Sequence, residues 1–269
     1  MKLAVSGKGG TGKTTLAAVL ALLMGQRGRK VLAVDADPDA NLAGCLGLPP
    51  FKMQQVQTVA HQARLIEERT GAQVRQYGQM FKLNPRVEDI AGTYAVEHAG
   101  VALLVLGAVE QGGDGCACPE SVLLRALVAD LVLRRDDALI MDMEAGVEHL
   151  GRATAQGVDA MLVVVEPGHA AIDCARRVMR MAADIGVTQL HLVANKVASN
   201  EDEAFVRAAF PEQSLLGIIP WSSEIIQADR SQSSVLQALP ATTAARFELI
   251  LAQLDTLAAR GVEGSQPVV

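Results

Sequence analysis

The chain has 269 residues, of which 50% are hydrophobic and only 3% aromatic, and its formal net charge is −6 at pH 7. A core of this composition is built from Ala, Val, Leu and Ile, which suits buried parallel strands covered by helices. The acidic balance counts against a nucleic-acid-binding surface, and the lack of both a signal-peptide pattern and a run of roughly 20 apolar residues predicts a cytoplasmic protein with no membrane span.

The first predicted strand, residues 3–5, leads into a glycine-rich turn and then an apolar helix. The turn, Gly-Lys-Gly-Gly-Thr-Gly-Lys-Thr, fits the phosphate-binding loop G-x-x-x-x-G-K-[ST]. Glycine permits the positive φ angles that turn successive N–H groups inward, and the following helix N-terminus stabilises phosphate charge. By its place in the motif Lys13 reaches the β- and γ-phosphates and Thr14 ligates Mg²⁺. The other predicted nucleotide contacts here are Gly9, Gly10, Thr11, Gly12 and Thr15.

A second lysine, Lys8, directly follows the first glycine of the loop. With it, the loop resembles the deviant Walker A family K-G-G-x-G-K-[ST], which includes partition ATPases, septum-site ATPases, the nitrogenase iron protein and metal-insertion ATPases. The resemblance implies that ATP joins two subunits and that Lys8 reaches the partner's nucleotide, as an arginine finger does elsewhere. The alternative is a surface lysine that adds positive potential near the phosphates.

The helix after the loop should end near residues 25–28, and residues 30–34 form a second buried strand that leads to Asp35 and Asp37. Carboxylates at the C-terminal end of a parallel strand lie where open α/β sheets bind ligands, and alternate residues can face the same side. The family resemblance implies that Asp35 supports Mg²⁺ through water and that Asp37 orients or activates the attacking water. A turn rich in Asp, Pro and Asn is the alternative for this segment.

The next segment with readable chemistry is a glycine-rich stretch, 107–120, that follows a strand predicted at 101–106 and contains Cys116 and Cys118. Pro119 predicts that a helix starts directly after Cys118, where a thiolate, the metal-binding form, is favoured. A closed tetrahedral site needs four ligands, so the implied dimer predicts a shared Cys₄ site for Ni²⁺ or Zn²⁺. Alone, a C-x-C pair is a weak signal, and two incidental cysteines are the alternative.

A strand at 138–141 ends in Asp142, the Walker B position, whose carboxylate is expected to hold Mg²⁺ through water. Glu144 stands where partition and septum-site ATPases carry the proline of D-x-P-x-G. Together with the C-x-C pair and Glu-His-Leu-Gly-Arg at 148–152, this segment resembles the CooC-type ATPases, which assist nickel insertion into carbon monoxide dehydrogenase. Glu148 and His149 could couple nucleotide state to the metal loop or simply pack.

Three further strands are predicted at 161–165, 190–194 and 215–219, and helices at 58–75 and 241–259. The family resemblance implies that Asn195, at the end of one strand, hydrogen-bonds adenine and that backbone near Pro220 contacts the base. Trp221 could stack on the base or pack elsewhere. Cys45 and Cys174 are expected to be core residues rather than ligands.

These patterns predict one doubly wound α/β domain over residues 1–269, with about seven mostly parallel strands and helices on both faces. The expected function is an ATP-hydrolysing homodimeric metallochaperone that uses ATP, Mg²⁺ and bound Ni²⁺ or Zn²⁺. The client implied by the resemblance is an apo-enzyme such as nickel carbon monoxide dehydrogenase or acetyl-CoA synthase. A partition or positioning ATPase of the ParA or MinD type, acting on DNA or membrane, is the main alternative. An iron protein-like electron carrier is another, but that family spaces its two ligand cysteines far apart.

Overall fold

The computed structural model describes the whole chain except residues 75, 77, 108–117, 135–137, 148–149, 151, 214 and 264–269. Its strands, β1 to β8, are Lys2–Gly7, Val31–Ala36, Val96–His98, Val101–Val105, Ala138–Met143, Ala160–Val165, Leu190–Val197 and Leu215–Pro220. Its helices, α1 to α12, are Lys13–Gln26, Leu42–Leu46, Pro50–Met53, Ala63–Thr70, Ile90–Tyr94, Pro119–Arg134, Arg152–Ala155, His169–Asp184, Asn200–Ala209, Ser223–Ser231, Val235–Ala238 and Ala241–Glu263. A short 3₁₀ turn spans Val59–His61.

The strands form one sheet in the order β3-β4-β2-β5-β1-β6-β7-β8. All neighbouring pairs are parallel except β3 and β4. After β5 the chain crosses from one side of β1 to the other to form β6, so the sheet reverses its winding beside the C-terminal end of β1. Ligands bind at such a reversal in open α/β sheets. The predicted doubly wound, mostly parallel fold is confirmed.

The strand β3 is the main departure from the predicted elements, because the sheet has eight strands instead of about seven. It pairs antiparallel with β4 through a two-residue turn in which Ala99 has a φ of 49° and Gly100 a φ of 80°. Two successive positive φ angles are what a tight hairpin requires. A three-residue strand is too short to show an alternating pattern of apolar and polar residues, so it was not predicted.

The helix predicted over residues 58–75 is also divided and shortened. A 3₁₀ turn is followed by Gln62 with a ψ of 76°, which interrupts helical geometry, and only then does α4 begin. Gly71, with a φ of 78°, ends α4 in a left-handed C-terminal conformation.

Two hydrophobic layers cover the two faces of the sheet, which explains why its strands are apolar along their whole length. On one face α1, α2, α11 and α12 pack on residues such as Leu3, Val5 and Ala33. On the other, α4, α5, α6 and α8 pack on residues such as Val34 and Met141. None of the described helices is both long and apolar enough to cross a membrane.

Cys174 lies in the second of these layers, and Cys45 is half-buried against the first. Burial raises the pKa of the Cys45 thiol to about 12, which keeps it protonated. Both cysteines therefore lie in the core regions expected for them.

Candidate functional site

The loop between β1 and α1 has the geometry of a phosphate cradle. Gly12 precedes α1 with a φ of 95°, and no side chain caps this helix, so its first N–H groups are left for a ligand. Gly7 has a φ of 149°, and a Cβ there would collide with the carbonyl oxygen of Val164 on β6. A Cβ on Gly12 would collide with the amide of Asn195. The loop therefore needs glycine at both positions.

Two buried carboxylates lie beside this loop. Asp35 on β2 and Asp142 on β5 are direct partners in the strand register, and both are fully buried. Asp35 accepts hydrogen bonds from the backbone N–H groups of Leu42, at 2.9 Å, and Asp37, at 3.3 Å. Burial raises the pKa of Asp35 to about 6 and that of Asp142 to about 7.

Neither carboxylate oxygen of Asp142 has a hydrogen-bond partner among the described residues. The Thr14 hydroxyl is close enough to favour the ionised form of Asp142, though not in the geometry of a good hydrogen bond. Uncompensated buried oxygens are costly unless a cation satisfies them. Mg²⁺ prefers oxygen ligands and is usually held by one or two carboxylates together with phosphate and water. Thr14, Asp35 and Asp142 therefore fit the Mg²⁺ role predicted for them.

The P-loop lysine contacts the acidic segment that follows β2. Lys13 Nζ lies 3.6 Å from Asp37 Oδ2, with 6% of the lysine side chain and 19% of the aspartate side chain exposed. Asp37 Oδ1 accepts a 3.1 Å hydrogen bond from the backbone N–H of Asp39. A buried ammonium needs an anionic partner, and a nucleotide phosphate can replace Asp37 in that role. Lys13 and Asp37, two of the three residues predicted to act in catalysis, thus share one small site, and Lys8 is the third.

Asn195 also lies at the phosphate loop. Its amide Nδ2 donates a 2.7 Å hydrogen bond to the carbonyl oxygen of Thr11, and the side chain is buried. Its Oδ1 is an acceptor of the kind that an adenine amino group needs, and its contact with adenine stays a prediction. Pro220 ends β8, and the next residue, Trp221, is 54% exposed.

Three residues that support the loops of this site were not predicted from the sequence: Lys196, Glu166 and Ser6. Lys196 Nζ donates to the carbonyl oxygen of Gly10 and to Glu166, which follows β6. Ser6, buried in β1, places its hydroxyl 2.9 Å from the carbonyl oxygen of Glu144 and 3.0 Å from that of Gly146. A polar residue in a buried apolar strand, directly before the glycine loop, was the available signal for Ser6.

Cys118 lies immediately before α6, as predicted, with Pro119 as the first helical residue. It is half-buried; its thiol donates to the Ser121 hydroxyl at 3.1 Å, and its sulfur accepts from the Ser121 backbone N–H at 3.4 Å. The predicted partner ligand Cys116, and also Glu148 and His149, lie outside the described residues. The described residues contain no group of three or more His, Cys, Asp or Glu side chains that could hold a metal ion.

Residues 2–235 match the family described as CobQ/CobB/MinD/ParA nucleotide binding domain. The chain belongs to this family. It is 40% identical over 255 residues to the carbon monoxide dehydrogenase accessory protein CooC of Rhodospirillum rubrum, which covers 95% of this chain and 97% of that protein. It is 41% identical over 232 residues to an uncharacterized ATP-binding protein of Methanocaldococcus jannaschii, covering 85% of this chain and 88% of that one.

Solved structures of this CobQ/CobB/MinD/ParA family share the fold. The cell division ATPase MinD of Pyrococcus furiosus matches with a TM-score of 0.67 and 23% identity, over 95% of this chain and 99% of that one. The septum site-determining protein MinD of Pyrococcus horikoshii, complexed with Mg-ADP, matches with a TM-score of 0.66 and 22% identity, over 96% and 98%. The predictions of a CooC-type member of this family and of an ATPase are confirmed.

Proposed function

We propose that this ATPase is a homodimeric metallochaperone that assists nickel insertion into carbon monoxide dehydrogenase or acetyl-CoA synthase. The observation that supports it best is the 40% identity, over nearly the full length of both chains, to a protein named as a carbon monoxide dehydrogenase accessory protein. The cysteine pair Cys116 and Cys118, on the segment between β4 and α6, adds a chemical reason, because thiolates bind nickel and zinc ions.

The nucleotide half of the mechanism follows from the phosphate loop and the acidic residues around it. The loop N–H groups and Lys13 bind the phosphates of ATP, while Thr14, Asp35 and Asp142 hold Mg²⁺, which neutralises charge on the transferred phosphoryl group. Asp37 then orients the attacking water. Because Asp37 lies 3.6 Å from Lys13, phosphate binding to Lys13 would free its carboxylate for this task.

Dimerisation would complete the nucleotide site. Lys8 is half-buried at the start of the loop, and Gly9 and Gly10 beside it are exposed. Among the described residues Lys8 forms no ion pair within its own chain. In our proposal its ammonium reaches the nucleotide of the second subunit, where it stabilises negative charge in the transition state.

Metal binding would use the same dimer. Two sulfurs from one chain cannot close a tetrahedral site, so Cys116 and Cys118 of both subunits together would supply four thiolates on the symmetry axis. Movement of the segments around the nucleotide phosphates, such as the one that carries Asp37, would then change the spacing of the sulfurs between nucleotide states and release the ion to the client.

Metal stoichiometry tests this proposal. After anaerobic loading with Ni²⁺ or Zn²⁺, elemental analysis should find about half a metal ion per chain in a dimer, since two chains share one site. The Cys116→Ser/Cys118→Ser variant should bind none, whereas Cys45→Ser, which changes a protonated thiol in the core region, should bind as the wild type does. Loaded protein should also raise the activity of a nickel-free client.

Two results would contradict the metallochaperone. Metal retained by the double cysteine variant would place the ion elsewhere, and a wild-type chain that binds no metal would remove the chemical basis of the proposal. Either result would favour the partition or positioning ATPase, for which the phosphate loop is equally good support.

A further inference from the structure

The C-terminal end of β7 departs from regular strand geometry next to the phosphate loop. The pairing of β7 with β8 shifts register between Ala194 and Val197, and Lys196 within this irregularity has a φ of 58°. Residues other than glycine rarely adopt this left-handed conformation, because Cβ crowds the backbone. Irregularities of this kind next to active sites re-aim a side chain. The left-handed backbone at Lys196 therefore sets the direction of its side chain.

That side chain joins three strand ends. Lys196 Nζ donates to the carbonyl oxygen of Gly10, in the loop after β1, and lies 3.0 Å from Glu166 Oε2, directly after β6. The lysine side chain is 42% exposed and that of the glutamate 30% exposed. Ion pairs this accessible to water contribute little to folding stability. The contact therefore matters for the position of the phosphate loop rather than for folding stability.

The carbonyl that Lys196 holds belongs to the peptide unit that closes the turn from Lys8 to Thr11. This unit is planar, so fixing the Gly10 C=O also fixes the Thr11 N–H. That N–H donates back to the carbonyl oxygen of Lys8 at 3.2 Å, and the Thr11 hydroxyl donates to the same oxygen at 2.8 Å. Asn195 holds the following carbonyl, that of Thr11. The end of β7 thus fixes two consecutive peptide units of the loop that carries Lys8.

We propose that Lys196 is a positioning residue of the ATPase. Its ammonium, paired with Glu166, fixes the Gly10 carbonyl and thereby the direction in which Lys8 leaves the loop. The inference rests on the proposed function, because it is there that Lys8 acts in the partner's nucleotide site. Lys196 acts only through the loop. Phosphoryl transfer depends on the placement of charged groups around the phosphates, so a misplaced Lys8 slows the chemical step more than it weakens ATP binding.

Steady-state ATP hydrolysis by matched variants tests this role. Lys196→Met keeps the length of the side chain but removes the ammonium, and it should lower kcat about tenfold while KM for ATP stays within about twofold of wild type. Lys196→Arg can still donate to both oxygens and should recover most of the rate. Lys30→Met is the control variant. Lys30 is exposed and precedes the N-terminal end of β2, away from the phosphate loop, so this variant should behave as wild type.

A Lys196→Met chain with wild-type kcat would overturn the inference, as would an arginine variant as slow as the methionine variant. If Lys196→Met does not fold by circular dichroism, Glu166→Gln replaces it: a lower kcat with an unchanged unfolding temperature supports the inference, and a wild-type kcat overturns it. A wild-type chain that does not hydrolyse ATP would instead overturn the proposed function. The two failures are therefore distinguishable.

Discussion

Asp142 is a binding-site residue whose buried carboxylate lowers the stability of the folded chain when it is ionised. Its carboxylate is fully buried on β5, and burial raises its pKa to about 7 from an ordinary value of 3.8. The folded protein therefore favours the protonated form. Above pH 7 the group is ionised in both the folded and the unfolded chain, and the buried charge destabilises the fold. As the pH falls from about 7 towards 4, the folded state takes up a proton before the unfolded state does, and stability rises.

We therefore predict that Asp142→Asn stabilises the nucleotide-free protein at pH 8 by about 2 kcal/mol, since it removes an uncompensated buried charge. The difference from wild type should shrink at pH 5, where the native carboxyl is already protonated. Urea unfolding at both pH values, in EDTA, measures it. A variant that is less stable than wild type at pH 8, or a difference independent of pH, would contradict the prediction.

Individual site residues were predictable from sequence where their role depends on neighbours along the chain. Lys13 and Thr14 follow from the spacing of one continuous motif, and Asp142 from the end of one apolar strand. Lys196 was not predictable, because its contact with Gly10 spans 186 residues and depends on a left-handed backbone at a strand irregularity. No local pattern encodes the direction of a side chain that is set by pairing with a later strand.

At the scale of elements, Cys118 has a structural role besides the metal role proposed for it. Its sulfur accepts the Ser121 N–H in the first turn of α6, as an oxygen side chain does in an ordinary helix cap. Cys118→Ala should therefore lower the free energy of unfolding by about 0.5–1 kcal/mol, while Cys118→Ser, whose oxygen is a preferred cap, should not. Denaturant unfolding of the metal-free proteins measures both.

Equal stability of the serine and alanine variants would exclude this capping role. If serine does preserve the cap, metal loss in the Cys116→Ser/Cys118→Ser variant cannot be attributed to unwinding of α6. This makes serine the appropriate replacement for the stoichiometry measurement.

Helices and strands that are long and buried were predicted more successfully than short ones. The seven parallel strands are continuous apolar runs that both layers of helices cover, and all seven were found. The hairpin strand β3 was missed because its turn is Ala99-Gly100, without the Asn-Gly or Asp-Gly sequence that identifies such turns. The prediction of one long helix at 58–75 was wrong because a periodic sequence pattern does not reveal a break at a residue such as Gln62, whose ψ of 76° is not helical.

At the scale of the whole molecule, the proposed dimer makes each nucleotide site a composite of two chains. One chain supplies Lys13, Asp35, Asp37 and Asp142 around its own phosphates. The other supplies Lys8 from a loop held by the ends of β6 and β7. Two-fold symmetry then gives two equivalent sites, each dependent on both subunits.

This arrangement predicts complementation between two inactive variants. Lys8→Ala alone should bind ATP but not hydrolyse it, because the phosphate contacts of its own chain are intact. Asp37→Asn should be equally inactive, because the attacking water is no longer oriented. In a mixed dimer, the nucleotide site of the Lys8→Ala chain has an intact Asp37 and receives Lys8 from the Asp37→Asn chain. With random pairing in an equal mixture, half of the dimers have one working site, so turnover should return to about a quarter of the wild-type rate.

A control mixture of Lys8→Ala with the Lys8→Ala/Asp37→Asn double variant should stay inactive. If the first mixture is as inactive as the control although both variants dimerise with ATP, Lys8 acts within its own chain and the composite site is wrong.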